Sequence, residues 1–227
     1  MNHSSTGFVL SVVPYKEHDA MVHFLSFDKG LLRLVLRGYY KVNTKQSLLG
    51  MSYSKVMYHF IYREDSLLRI IGGQLIDSYL DYREDYEWLV GMSLVSELVI
   101  KHHSQAMHTK LYEAYETLIA HWTLDGCLGF MSDLLELLGY KPVLDGCVVC
   151  SHHKINSFSI SLGGYLCPQH SEHKMSYDLL VLIAMIFKHK DITDYDEKLK
   201  RECLLLCIEY LEYHSEIKIN TKELLTI

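Results

Sequence analysis

Proline is scarce, with three residues in 227. That is too few for a proline-rich spacer, and no serine-rich or low-complexity tract stands in for one. Long apolar runs are missing as well. The longest, Leu179 to Phe187, falls far short of the roughly 20 residues a membrane-spanning helix needs. No basic-then-apolar leader opens the chain, so the reading is a cytosolic protein. The phosphate-cradling pattern Gly-x-x-x-x-Gly-Lys-Ser/Thr does not occur, which argues against the ATP hydrolysis of common P-loop motors. Gly163-Gly164 carries no dinucleotide fingerprint and reads as a turn. No internal repeat is visible.

Cysteine is present and clustered. Cys147-Val148-Val149-Cys150 is followed, after sixteen intervening residues, by Cys167-Pro168-Gln169-His170. Two ligand pairs, each with a two-residue gap, let two tight knuckles aim four side chains at one ion, and three thiolates with a neutral imidazole suit Zn2+ in a structural role. The alternative is a surface loop of reduced thiols, and His152, His153 and His173 compete with His170 as the closing imidazole. A reducing compartment favours metal over disulfides here. It also leaves Cys127, Cys203 and Cys207 as buried thiols.

Two hydrophobic periods divide the chain. Short alternating runs at 8–13, 20–27, 31–37, 54–62 and 67–76, broken by Asp28-Lys29-Gly30 and Glu64-Asp65-Ser66, predict five strands. Five are too few for two full sheets, and a small closed barrel such as an OB-fold leaves no bare edge. After Tyr82 apolar residues recur every three to four positions, as in Trp88, Met92, Val95 and Val99, and helices follow. One is expected from about Leu128 to Leu138, stopped by Gly139 with Pro142 beyond; others cover 175–188 and 196–214. The expected architecture is α+β: an N-terminal five-stranded OB-fold barrel over 1–78, then a helical domain over 79–227 with a zinc ribbon inserted at about 145–172.

Charge is uneven. Residues 1–75 hold nine Lys/Arg against five Asp/Glu, and residues 76–227 hold thirteen against twenty-three, within an overall charge of −6. A polyanion would be steered to the front and repelled from the rear. The third strand ends in Arg37-Gly38-Tyr39-Tyr40-Lys41-Val42-Asn43-Thr44-Lys45, a loop with cations for phosphates, rings for unstacked bases and no acid. Arg33, Arg37, Tyr39, Tyr40, Lys41 and Lys45 are therefore the candidate DNA-binding residues, with Lys55, Arg63 and Arg69 extending the track if they face outward. A solvated turn whose tyrosines pack on the barrel is the competing reading.

Three segments, in order along nearly the whole chain, resemble the bacterial recombination mediator family RecO. They are Phe8-Val9-Leu10 with Tyr15-Lys16-Glu17-His18-Asp19-Ala20-Met21-Val22; Lys29 to Gly38; and Leu134 to Cys150 with Gly163-Gly164-Tyr165-Leu166-Cys167 after it. The resemblance implies an OB-fold, a helical domain and a zinc ribbon. It also implies a non-enzymatic, nucleoid-associated protein that binds single- and double-stranded DNA and anneals complementary strands. Family members, with RecR, help load RecA onto strands coated by single-strand-binding protein, whose acidic C-terminal tail is a further expected contact. By position, Arg37, Lys41 and Lys45 match the family's DNA-contacting loop, and Cys147, Cys150, Cys167 and His170 its metal positions. Two other classes stay open: a protein-binding adaptor with weak DNA affinity, favoured by the negative charge, and a zinc-dependent enzyme acting on nucleotides. The enzyme would need an open metal position, whereas four ligands already fill a tetrahedron.

Overall fold

The computed structural model describes the backbone of residues 2–42, 47–63 and 66–226, and within these every side chain except those of residues 62, 63, 66, 67 and 226. It divides into two compact units, Met1–His121 and Trp122–Ile227.

In the first unit, β1 (Asn2–Tyr15), β2 (Asp19–Ser26), β3 (Gly30–Leu36), β4 (Ser54–Arg63) and β5 (Ser66–Asp77) form a closed barrel in the order β1-β2-β3-β5-β4. That is the OB-fold, a five-stranded Greek-key barrel. Neighbours run antiparallel except β3 and β5, whose parallel pairs Leu34↔Leu68 and Val35↔Arg69 close the ring. The long β1 makes closure possible. Its first half pairs with β4, from Asn2↔Ile61 to Val9↔Ser54, and its second with β2, from Gly7↔Ser26 to Tyr15↔Asp19, around a bulge between Val9 and Ser11. Where both partners meet it stands Gly7, at which a Cβ would lie 2.1 Å from the Leu25 carbonyl oxygen. The alternation that marked the strands fills the interior with Val9, Val22, Phe24, Leu34, Val56, Tyr58 and Phe60. Phe24 and Tyr58 meet at 4.8 Å between ring centroids, and the Tyr58 hydroxyl donates to the Leu49 carbonyl. Strand β1 begins at Asn2 rather than at the expected Phe8. The polar run Asn2-His3-Ser4-Ser5-Thr6 hides it, because its side chains are held by hydrogen bonds such as Ser5 to Ser26 at 2.7 Å.

Two helices, α1 (Tyr86–His102) and α2 (His108–Ala120), belong to the same unit. Asp85 caps α1 by accepting from the backbone N–H groups of Glu87 and Trp88. Phe8, on the outer side of β1, is covered by Tyr112 and Tyr115 of α2, each 5.2 Å away between centroids. Buried Trp88 donates its indole N–H to Ile119 O at 3.1 Å.

The second unit packs α3 (Leu124–Leu137), α4 (Tyr177–Phe187) and α5 (Glu197–Ser215), with a short hairpin of β6 (Ser157–Ser159) and β7 (Gly164–Leu166) between α3 and α4 in sequence. Helix α3 starts four residues before the expected Leu128, because Thr123 caps it by accepting from Gly126 N–H at 3.0 Å and Gly129 looks onto open space, where its missing side chain costs no packing. It ends as punctuated, with Gly139 at φ +81°. Leu179, Leu182, Ile183 and Ile186 of α4 are buried, as are Cys127, Cys203 and Cys207; burial pushes the Cys127 thiol up to about 12. Lys200 of α5, 8% exposed at its side chain, pairs with Asp125 of α3 at 2.7 Å. Asp125→Asn removes the countercharge and leaves that ammonium only neutral acceptors such as Thr193 O at 3.5 Å, and it is expected to lower stability by about 2 kcal/mol in denaturant unfolding, below the full cost of breaking a buried pair because Asp125 keeps some solvent. Among the described residues no helix is long and apolar enough to cross a membrane.

Candidate metal centre and nucleic-acid interface

The hairpin organises the cysteine cluster. Ser157↔Leu166, Phe158↔Tyr165 and Ser159↔Gly164 are its register pairs. Gly163 turns it at φ +76°, and a Cβ on Gly164 would lie 2.4 Å from Val143 O, so the preceding chain can lie against β7 only with glycine there. In the first knuckle Ser151 N–H donates to Cys147 O at 2.7 Å and Cys147 N–H to His152 O at 2.9 Å, with Ser151 itself at φ +59°. In the second, Cys167 O accepts from His170 N–H at 2.9 Å and Ser171 N–H at 3.1 Å. Val148 N–H donates to Tyr165 O at 2.8 Å and lays one knuckle beside the other.

The result is a quartet of Cys147, Cys150, Cys167 and His170 whose ligand atoms all lie within 4.8 Å of one another. Cys150 Sγ stands 3.7 Å from Cys167 Sγ, and His170 Nδ1 stands 3.5 Å from Cys147 Sγ and 3.2 Å from Cys167 Sγ. A tetrahedral zinc with ordinary bond lengths puts its sulfurs about 3.8 Å apart and sulfur and nitrogen about 3.6 Å apart, so the donor set and its spacing fit such an ion. Two competing imidazoles are engaged elsewhere, since His152 Nδ1 accepts from Lys154 N–H at 3.0 Å and His153 Nδ1 lies 3.1 Å from Asp145 O, and His173 stands outside the quartet. Burial works against ionising the Cys147 thiol. Backbone N–H groups of Cys167, Val149 and Cys150 and the Cys150 side chain outweigh it and bring the thiol down to about 6, favouring the thiolate a metal requires. Glu172, two residues from His170, is exposed and stands outside the quartet.

On the barrel, Arg33 projects outward from β3 between inward Leu32 and Leu34, and Arg37 and Lys41 are exposed in the turn that follows. The root of that turn is fixed. Gly38, at φ +66°, donates its N–H to Asp19 Oδ1 at 2.8 Å, and Tyr40 N–H donates to His18 O at 3.0 Å. The adjacent tyrosines part company. Tyr39 packs against the barrel core, its hydroxyl donating to Gly50 O at 3.0 Å and its pKa raised by burial and then by Tyr40. Tyr40 meets the edge of that ring at 4.9 Å and is 45% exposed. Among the described residues no ion pair involves Arg33, Arg37 or Lys41. Lys45 and the side chain of Arg63 lie outside the described residues. Lys55 points away from the track, into a 2.7 Å pair with Glu116 of α2, whereas Arg69 stands in register with Val35 beside β3. Sequence inspection passed over Ser11 and His23, which lie opposite one another and level with Arg33 across β1, β2 and β3. The outward phase of β2 was the signal that would have found His23.

Two family models match the chain: recombination protein O N terminal over residues 1–79 and recombination protein O C terminal over residues 83–223. Curated relatives include three proteins called DNA repair protein RecO. The one from Exiguobacterium sp. is 26% identical over 97% of this chain and 94% of the relative. That from Thermodesulfovibrio yellowstonii is 28% identical over 74% and 69%, and that from Bacillus mycoides 29% identical over 73% and 69%. Matched by both family models over nearly its whole length, the chain belongs to the recombination protein O (RecO) family.

Proposed function

We propose that this chain is a DNA repair and recombination mediator that holds nucleic acid on its barrel without catalysing a reaction. The observation that carries this reading is a set of cations, Arg33, Arg37 and Lys41, that form no ion pair among the described residues and stand on the outside of an OB-fold, in a chain of the RecO family. Such a surface binds single and double strands through their phosphates, and two strands held close lose their mutual repulsion, so complementary bases pair without the protein reading sequence. Tyr40 supplies an exposed ring for an unstacked base, and Lys45 completes the proposed set. Tyr39 buttresses the loop from beneath. With RecR the chain would help load RecA onto strands coated by single-strand-binding protein, contacting that protein's acidic tail, in the bacterial cytoplasm at the nucleoid. Its two modules are proposed as 1–78 and 79–227, a division that follows the two family matches, whereas the compact units part after His121 because α1 and α2 pack with the barrel.

The quartet is proposed to hold Zn2+ through Cys147, Cys150, Cys167 and His170. The ion would supply cross-linking alone, since four protein ligands leave no position for substrate. The overall charge of −6 favours a second reading, an adaptor with weak DNA affinity. Titrating a labelled single strand at low and high salt separates the two. A mediator with four phosphate contacts should lose about 50-fold in affinity between about 50 and about 200 mM salt, and an adaptor should bind weakly at both and lack that slope.

A further inference from the structure

The outer face of the barrel carries a second feature beside the cationic loop. Ser11 of β1, His23 of β2 and Arg33 of β3 are register partners in adjacent antiparallel strands, which places their Cβ atoms about 5 Å apart in sequence across the sheet. They share the outward face, because Val22, Phe24 and Leu34 on either side fill the core. Ser11 Oγ lies 2.8 Å from His23 Nδ1. We propose that Ser11, His23 and Arg33 form a phosphate-contact row at which a bound DNA strand draws a proton onto His23. The inference rests on the DNA-binding reading and adds to it a proton-linked contact.

The groups around the imidazole account for the coupling. Strand β1 presents the Ser11 hydroxyl and β3 the Arg33 guanidinium, and no carboxylate among the described residues forms an ion pair with either basic side chain. Burial, and second to it the charge of Arg33, hold the His23 imidazole below its ordinary value, which favours the neutral ring in the free protein. A serine hydroxyl both donates and accepts. In the neutral tautomer protonated at Nε2 it donates to Nδ1, and when water delivers a proton to Nδ1 it turns and accepts instead. Protonation therefore breaks no hydrogen bond. What opposes it is burial and Arg33, and a phosphate between the two cations counters both. The pKa of His23 is then higher in the complex than in the free protein. Affinity rises as pH falls, the gain being absent above the pKa of the complex and complete below that of the free protein.

The test is calorimetric titration of the full chain with a thymidine oligonucleotide of about 20 nucleotides at about pH 8 and about pH 6, in buffers of different ionisation enthalpy. Wild type should bind about 3- to 10-fold more tightly at the lower pH and take up a fraction of a proton per chain. In His23→Gln, which keeps a hydrogen-bonding partner for Ser11, both effects should shrink, the affinity ratio to below about 1.5. If the variant retains the pH dependence and the proton uptake, His23 is not the coupled group and the inference fails. If wild type binds no strand at either pH, the DNA-binding reading fails with it. Inorganic phosphate is the parallel probe: equal proton uptake on phosphate alone makes the row a free-phosphate site and overturns its assignment to a strand.

Discussion

Replacing Cys147 and Cys167 together by serine is expected to dismantle the ribbon. Metal content should fall from about one ion per chain to none, and the amides of Cys147, Val148 and Tyr165 should lose protection from hydrogen exchange by about 100-fold or more. The reason lies in how little, besides the seating of Tyr165 on Leu180 O of α4 and of Phe158 on Tyr210 of α5, holds that segment. Its hairpin has two strands of three residues each, Ser157–Ser159 and Gly164–Leu166, and an isolated two-stranded ribbon is marginal in water. Its own apolar cluster consists of Cys147, Leu166 and Cys167 with Val148 packed against them, so half of what would be a core is the ligand set. A structural ion contributes folding free energy directly where the local core is this small. Chelation of the native protein should reproduce the loss, with barrel amides such as Tyr58 serving as an internal reference. Ribbon amides that stay protected after the metal is stripped would show that the hairpin stands without an ion.

The second large effect belongs to the barrel. Arg33→Ala, Arg37→Ala and Lys41→Ala combined should weaken single-strand binding by about 30- to 100-fold and make the salt slope shallower by about 2. All three side chains are exposed and enter no ion pair among the described residues, so their removal exposes no buried charge, and the melting temperature should hardly move. The loss should be uniform over base sequences, because phosphate contacts carry no sequence information. A marked base preference in the wild type, or an unchanged slope in the variant, would move the interface elsewhere. Lys55→Ala is the natural control. Its ammonium is already committed to Glu116, and its loss should leave the slope intact.

How much of this could be read from the chain depends on whether the signal was local. Knuckle spacing is local, and it named a quartet that the fold gathers within 4.8 Å. Gly139 ends its helix through its own backbone geometry, and it was legible for the same reason. Two features depended on partners distant in sequence. Periodicity groups helices with helices, yet α1 and α2 pack with the barrel because Phe8, on its outer wall, needs the rings of Tyr112 and Tyr115 over it. Nothing in Tyr39-Tyr40 distinguishes the two residues either. Only the segment near Gly50, whose missing side chain leaves room for the Tyr39 ring, decides which one turns inward. His23 stayed hidden because its meaning comes from Ser11 and Arg33, twelve residues before it and ten after.

The four ligands are not equally sheltered: Cys147 and Cys167 are buried, while Cys150 and His170 are exposed. An ion among them would be walled in on one hemisphere and open to water on the other. A competing chelator could then attack from the open side while the hairpin stays intact, so the rate of metal exchange should climb with chelator concentration instead of levelling off at the rate of local unfolding.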